Sequence, residues 1–286
     1  MSVTKFAKAR SISRKGRNWE LMAVEVFLAA VALVALYPFY ALISTSLEGP
    51  QKIFSAFPAP QWYWGNYRDV FTEINFPLSF FNTLIICAGT EIIVVLLGSM
   101  AGSAIGRSAR GPLQWLYFFF LTGLVIPLQT TMVPLFRLSI DLHLANTRIF
   151  LILNYAAGTI PFALLLYTGF MKSIPRELDE AAIIDGCGPI RLYWNILFPL
   201  LMPATGTIIV TTVYWYWNDF LGPLLFLQSP TKLTLMTQIF SFETGHATAY
   251  GPIFALCALA TIPLILFFLF TQKYLIRGLM QGAVKG

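Results

Sequence analysis

The largest cluster of acidic side chains lies in the stretch ELDEAAIIDGCG, between residues 177 and 188. Its acids are Glu177, Asp179, Glu180 and Asp185. Pro175 precedes them and suits a first helical turn, where its missing N–H costs nothing, and carboxylates suit the positive end of the helix dipole. Gly186 then breaks the helix, and Pro189 can begin another. The stretch therefore predicts two short helices joined at a glycine bend.

The chemistry of these acids alone leaves two roles open. Solvated carboxylates are common at the start of a helix, so the stretch suits an amphipathic interfacial helix that holds two neighbouring segments together. The small side chains of Ala181 and Ala182 instead suit a surface that another molecule approaches closely.

Motifs for catalysis and metal binding are missing from the rest of the sequence. Its two histidines, His143 and His246, are too few and too far apart for a metal site or a histidine-based dyad. Neither the G-x-x-x-x-G-K-[ST] phosphate loop nor the G-x-S-x-G nucleophile motif occurs. Cys87, Cys187 and Cys257 lack metal-ligand and disulfide-framework spacing. We therefore predict no catalytic residue, cofactor or metal in this chain.

The composition is that of a membrane protein. Hydrophobic residues make up 57% of the 286 residues and charged residues only 11%, with a mean hydropathy of +0.70. Long apolar runs alternate with short polar ones, which is typical of proteins with several transmembrane helices. We predict an all-α integral membrane protein with six transmembrane helices, near Leu21–Ser44, Phe80–Ile105, Leu113–Phe136, Ile149–Met171, Leu200–Phe220 and Ile253–Leu275.

The distribution of positive charge predicts the orientation. With six spans, 14 of the 19 Lys and Arg residues fall on the side of the termini and five on the other side. The positive-inside rule then places both termini, and the acidic stretch, in the cytoplasm. The chain divides into a basic cytoplasmic arm, residues 1–20, and a six-span domain, residues 21–286. Because this arrangement accounts for the net charge of +6, we expect no nucleic-acid partner.

Polar side chains and prolines inside the predicted spans are candidates for a substrate pathway. Prolines 127, 134, 161 and 263 should kink or break their spans, although tolerated kinks between packed helices are equally compatible. Polar and aromatic candidates are Glu91, Gln129, Thr130, Trp215, Asn218 and Asp219. For Glu91, a hydrogen bond to a neighbouring helix is slightly favoured over contact with solute. Aromatic faces with amide and carboxylate groups, as around Asn218 and Asp219, are typical of sugar recognition.

The acidic stretch also resembles a known motif. EAAIIDG, nine residues and then ILFP are similar to the EAA signature of ABC importer permeases. The matching residues are Glu180, Ala181, Ala182, Gly186, Ile196 and Pro199. Phe198 stands where leucine is usual and Cys187 where alanine is common, and both keep the apolar or small character.

Further segments narrow the resemblance to carbohydrate-uptake permeases, the family of the shorter permease of the maltose system. They are YPFYALISTSLE, IPLQTTMVPLFRL, GFMKSIPRELDEAA, YWYWNDFLGPLLFL and RGLMQGAVKG. The resemblance covers nearly the whole chain from about Tyr37. It implies a multi-pass protein of a bacterial or archaeal cell membrane that forms half of the pathway for a sugar-like solute.

The resemblance also implies partners. The loop at about residues 172–199 would dock, through Glu177, Asp185 and the matching motif residues, on one of two separate ABC ATPase subunits that bind ATP and Mg. A second permease, usually a different homologous chain, would complete the pathway within the membrane lipid. An extracytoplasmic solute-binding protein would meet Leu47–Ser79 and Gln228–Tyr250, the latter expected as a flexible loop.

Three other functions would require different features of the sequence. A self-sufficient secondary transporter or channel would use Glu91 as an ion or proton site, but it gives the acidic loop no purpose. A scaffold subunit would have no role in uptake. A membrane-embedded transferase would need acids and bases that the predicted spans mostly lack.

Overall fold

The computed structural model describes residues 19–49, 58–108, 111–245 and 250–283, and these residues form helices and connecting loops. The basic arm, including residues 1–18, lies mostly outside this part of the chain. The α-helices, α1 to α13, are Trp19–Ser46, Gly65–Thr72, Phe76–Arg107, Pro112–Thr122, Leu128–Asp141, Arg148–Ser173, Glu177–Ile184, Pro189–Leu192, Phe198–Leu200, Met202–Asn218, Leu221–Phe226, Leu235–Gly245 and Tyr250–Ala283. A π-helical turn, Tyr193–Leu197, and a 3-10 turn, Pro230–Lys232, complete them.

Four of the described helices, α1, α3, α6 and α13, are long and apolar enough to cross a membrane. They correspond to the first, second, fourth and sixth predicted spans. The segment Pro189–Leu200 and helix α10 pass the same test together, but they are bent by 66° at the break between them. Length and composition thus support four spanning helices, or five with the bent pair, and the count of six stays a prediction.

The third predicted span is divided in the structure. Helix α4 ends at Thr122 and α5 begins at Leu128, with Pro127 in an extended conformation between them. A proline has no N–H to donate to the preceding turn, so the expected break forms here. The other three prolines, Pro134, Pro161 and Pro263, lie inside helices that continue past them.

Helices α3 and α6 pack closely along much of their length. A glycine recurs at every fourth position of α3, at Gly98, Gly102 and Gly106, and each faces α6. A Cβ on Gly102 would lie 2.5 Å from the Cβ of Tyr167, and one on Gly106 would lie 2.6 Å from the Cβ of Met171. Small residues at this spacing let two helix backbones approach closely in a membrane, where no hydrophobic effect drives helices together.

The buried core continues from this pair to α10. Val94, Tyr167 and Ile208, one from each of these helices, are fully or almost fully buried in one cluster. Helix α1 packs on α13, and the apolar side chains of its span remain exposed in the single chain. Such a surface suits contact with lipid or another membrane subunit.

Candidate functional site

The acidic stretch folds into the two short helices expected from its sequence. Helix α7 starts at Glu177, so Pro175 lies two residues before the helix and not in its first turn as expected. The first turn carries three acids. At its end, Gly186 has a φ of +80°. The N–H of Cys187 donates to the carbonyl of Ala182 at 2.9 Å, and the N–H of Gly186 donates to that of Ile183 at 3.0 Å. This is a Schellman cap, which favours glycine at the left-handed position.

Most of this loop is exposed beyond the end of α6. The carboxylates of Glu177, Glu180 and Asp185 are exposed, as is Ala181, whereas Ala182 is buried. Its apolar residues are exposed as well: Ile183 by 61%, Ile184 by 85% and Ile190 by 76%. Acids and isoleucines at one exposed bend suit a protein surface better than lipid, because lipid cannot solvate the acids.

The return segment contains a widened helical turn. The π-helical turn Tyr193–Leu197 separates α8 from α9, and Pro199 is the second residue of α9. Because Pro199 has no N–H, the regular α-helical ladder is interrupted here. The motif residue Ile196 is half-buried and Pro199 is exposed. The second half of the motif therefore shapes the path by which the loop re-enters α10.

An ion pair that sequence reasoning missed holds α7 in place. The guanidinium of Arg107, at the end of α3, donates from Nη2 to Asp179 Oδ1 at 2.8 Å, and its Nε lies 2.7 Å from Oδ2. Both side chains are mostly buried, with exposures of 18% and 17%. The pair thus combines one hydrogen bond with a second close contact between opposite charges. The two residues are 72 positions apart, and no local pattern connects them.

A cavity of about 700 Å³ lies between α6, α10 and the break in the third predicted span. Among its lining residues are Asn154, Tyr155, Tyr214, Trp215, Tyr216, Asn218 and Asp219. Of the predicted pathway residues, Trp215, Asn218 and Asp219 line it, whereas Glu91, Gln129 and Thr130 are not among its lining residues. Thr131 lines the cavity instead, because it is one residue further along α5.

Besides lining the cavity, the carboxylate of Asp219 accepts three hydrogen bonds within the protein. Its Oδ2 accepts a hydrogen bond from Tyr155 Oη at 2.5 Å and from the N–H of Gly222 at 3.1 Å. Its Oδ1 accepts from the N–H of Leu221 at 3.2 Å. These N–H groups begin α11, so the carboxylate caps that helix and fixes Tyr155 in the cavity wall.

Glu91 lies in the core between two helices. It is 7% exposed, and its Oε1 accepts a hydrogen bond from the hydroxyl of Thr212 on α10. This geometry agrees with the packing role that the sequence slightly favoured, and it places the carboxylate between α3 and α10.

The segment between α11 and α13 differs from the flexible loop that was expected. It contains the 3-10 turn and helix α12, and residues 246–249 lie outside the described part. Asn82 on α3 donates to the carbonyls of Thr231, at 3.1 Å, and Leu233, at 2.8 Å. Thr83 accepts from the N–H of Leu235 at 3.0 Å. In the earlier segment Leu47–Ser79, residues 50–57 lie outside the description and Gly65–Thr72 is helical.

Four long apolar helices, and a largely apolar cavity with aromatic side chains beside α6 and α10, suit a membrane transport subunit. The chain belongs to the family of binding-protein-dependent transport system inner membrane components, the permease subunits of ABC importers, and the family model matches residues 94–281. It is accordingly a multi-pass membrane permease and not an enzyme.

Individual relatives share most of their length with this chain. The melibiose/raffinose/stachyose import permease protein MelC of Bacillus subtilis is 33% identical over 276 residues, which cover 96% of this chain and 100% of MelC. AmyC of Thermoanaerobacterium thermosulfurigenes, a probable permease for starch degradation products, is 33% identical over 262 residues, or 91% of this chain and 95% of AmyC.

The fold is also that of a solved structure. A chain of a bacterial ABC transporter involved in the import of alginate, an acidic polysaccharide, superposes with a TM-score of 0.76 at 21% identity. The match covers 91% of this chain and 98% of the other.

Proposed function

We propose that this permease forms half of the translocation pathway for a sugar or sugar-like solute and couples it to a separate ATPase. ATP and Mg would bind in that ATPase, so this chain would carry no cofactor or catalytic residue. The observation that carries the proposal is the exposed helical bend at Gly186. We call residues 172–199 the coupling loop.

The surface of the coupling loop supports docking on a protein. Ile184 is the most exposed of its isoleucines, at 85%, and it lies beside exposed carboxylates. An exposed apolar group rimmed by charge is typical of an interaction site. The carboxylates of Glu177, Glu180 and Asp185 would pair with basic side chains of the ATPase, and the small side chain of Ala181 allows close approach.

The division between α4 and α5 supports a second permease subunit. Non-helical backbone at membrane depth must face protein or a water-filled cavity, because lipid offers no hydrogen bonds. Gly123 and Ile126 of this segment line the cavity, whereas Val125 is 81% exposed. A second subunit on the side of Val125 would cover this segment. By analogy with the family, that subunit is a homologous and usually different chain, and two ATPases complete the membrane complex.

The cavity supports a neutral sugar as the solute. Tyr214 and Trp215 present exposed rings, and Asn154 and Asn218 offer amides beside them. Aromatic faces pack against the C–H faces of sugar rings, and amides bond hydroxyl groups. No Lys or Arg occurs among the described lining residues, so the cavity suits neutral sugars better than sugar phosphates. The names of MelC and AmyC, a sugar importer and a probable importer of starch products, agree with this class.

The topology follows from the same proposal. Six spans would place both termini and the coupling loop in the cytoplasm and the segments 47–79 and 228–250 outside. There a solute-binding protein would deliver the sugar, as the description of the family as binding-protein-dependent suggests. Labelling of single cysteines in intact cells tests it: position 229 should react with an impermeant maleimide and position 184 should not.

Cysteine crosslinking tests the docking of the coupling loop. Cys187 lies inside the motif and is partly exposed, so replacement of Cys87 and Cys257 by alanine leaves one useful thiol. This variant would be co-expressed with the ATPase, with single cysteines placed across the docking cleft of the ATPase. We expect a crosslink whose yield changes with ATP.

The matched control carries Cys187→Ser in addition and should give no crosslink. Absence of a crosslink across the whole cleft, in complexes of normal yield, would contradict docking of this loop.

A further inference from the structure

Helix α3 is a continuous rod that is long enough to connect both sides of the membrane. Its 32 residues carry a proline only in the first turn, whereas α1, α6 and α13 each have one inside the helix. At 1.5 Å per residue, the helix from Asn82 to Arg107 measures about 38 Å. This length exceeds the hydrocarbon core of a bilayer, about 30 Å.

The outer end of α3 binds the segment that would meet the solute-binding protein. Asn82 is 1% exposed. Its side-chain amide nitrogen donates hydrogen bonds to two carbonyls of that segment, those of Thr231 and Leu233. Thr83, which is 2% exposed, accepts the N–H of Leu235 at the start of α12. Any displacement of α12 and the preceding turn therefore acts directly on α3.

The inner end of α3 binds the first half of the coupling loop through Arg107. Besides its pair with Asp179, the guanidinium donates from Nη1 to the carbonyl of Ile174 at 2.7 Å. In return, Arg176 donates to the carbonyl of Arg107 at 2.9 Å. The end of α3, the end of α6 and the start of α7 are thus joined at Arg107, whose side chain is mostly buried.

A second contact joins α3 to the other half of the coupling loop. The hydroxyl oxygens of Ser99 and Tyr193 are 2.6 Å apart. Ser99 donates its single proton to the carbonyl of Val95, so Tyr193 is the donor in the pair. Tyr193 is the first residue of the π-helical turn. Helix α3 therefore contacts the coupling loop on both sides of the Gly186 bend.

We propose that α3 relays the docking of the solute-binding protein to the coupling loop, with Asn82, Arg107, Asp179 and Tyr193 as positioning residues. The inference rests on the proposed coupling function. The outer end of this helix is anchored by buried polar groups and the inner end by a mostly buried ion pair, and its glycine face packs directly on α6. A push at the outer segment therefore moves the coupling loop as part of one body.

The test uses the complete importer in proteoliposomes, with its solute-binding protein and a transported sugar. Asp179→Asn and Asn82→Ala should each lower the stimulation of ATP hydrolysis by the sugar-loaded binding protein about fivefold, the lower range of typical coupling between sites. Hydrolysis without the binding protein should stay unchanged in Asn82→Ala, because Asn82 lies at the end of α3 far from the coupling loop. Because both residues act on one relay, the double variant should be no worse than the more affected single variant.

Matched variants separate the relay from general damage. Asp179→Glu keeps the ion pair and should keep most of the stimulation. Arg148→Gln removes the contact of α6 with the Thr231 carbonyl, 3.2 Å long, but leaves those of α3 intact. Its effect should be smaller than that of Asn82→Ala.

The outcomes distinguish this inference from the proposed function. A wild-type complex that the loaded binding protein does not stimulate would overturn the proposed function itself. Normal stimulation in both Asp179→Asn and Asn82→Ala, or an equal loss in Arg148→Gln, would overturn the relay alone. If Asp179→Asn lowers the complex yield, the variant Tyr193→Phe, which removes one oxygen atom, is measured in its place. Lost stimulation in this variant supports the relay, and retained stimulation contradicts it.

Discussion

Gly102 of α3 packs against Tyr167 of α6 so closely that a Cβ on the glycine would lie 2.5 Å from the Cβ of the tyrosine. The same added atom would lie 3.3 Å from the backbone nitrogen of Thr168. Neither neighbour is the end of a flexible side chain, so a larger residue must push the two helices apart.

Gly102→Ala is therefore expected to destabilise the protein. Overpacking of this kind costs about 1–3 kcal/mol, which exceeds the gain in helix propensity of about 1 kcal/mol. The thermal midpoint of the purified importer should fall. Gly169→Ala on α6 is the matched control, because a Cβ there has no neighbour within 4 Å. Equal midpoints for the two variants would contradict the close packing.

The bend of the coupling loop should depend on backbone conformation at Gly186. A Cβ at this position has open space around it, but its φ of +80° disfavours side chains. Gly186→Val should uncouple ATP hydrolysis from uptake or prevent assembly, since a left-handed residue costs about 1–2 kcal/mol. Gly186→Asn should be milder, because asparagine tolerates this region. Both variants are compared by uptake per ATP hydrolysed and by complex yield. Normal values for the valine variant would contradict the assignment of this bend to ATPase coupling.

Substitutions of Asp219 and Trp215 should affect stability differently, although both residues line the cavity. Asp219→Asn leaves one acceptor oxygen where the carboxylate uses two, so the bonds of Oδ1 and Oδ2 cannot all be kept and thermal stability should fall together with uptake. Trp215→Ala removes an exposed ring and should lower uptake at normal stability, with partial recovery in Trp215→Phe. If Asp219→Asn leaves both uptake and stability intact, its role in the cavity wall is wrong.

Glu91 should tolerate loss of its charge. Because Oε1 accepts a hydrogen bond from Thr212 and the residue is not among the cavity-lining residues, Glu91→Gln keeps an acceptor at this place and should leave uptake near normal. Collapse of the proton gradient at constant ATP should also leave uptake unchanged. A secondary transporter that uses Glu91 as a proton site would lose uptake in both experiments.

Local sequence patterns predicted the elements that depend on near neighbours. Apolar length located α1, α3, α6 and α13, and the proline and glycine of the acidic stretch predicted a helix that ends at a bend. The break at Pro127 was equally foreseeable, because a missing N–H acts within one turn. The kind of protein also follows from sequence, because the match to the family covers residues 94–281.

Long-range contacts were decided by tertiary structure alone. Asp179 looked like one of four equivalent acids in the sequence, yet it alone of them is paired with Arg107, across 72 positions. Thr131 lines the cavity, whereas its predicted neighbours Gln129 and Thr130 are not among the lining residues. Successive residues of a helix are rotated by about 100°, so the orientation of α5 determines which of them faces the cavity. Such side-chain pairs, and the direction in which a helical residue faces, depend on how helices rotate and pack, and no local pattern encodes them.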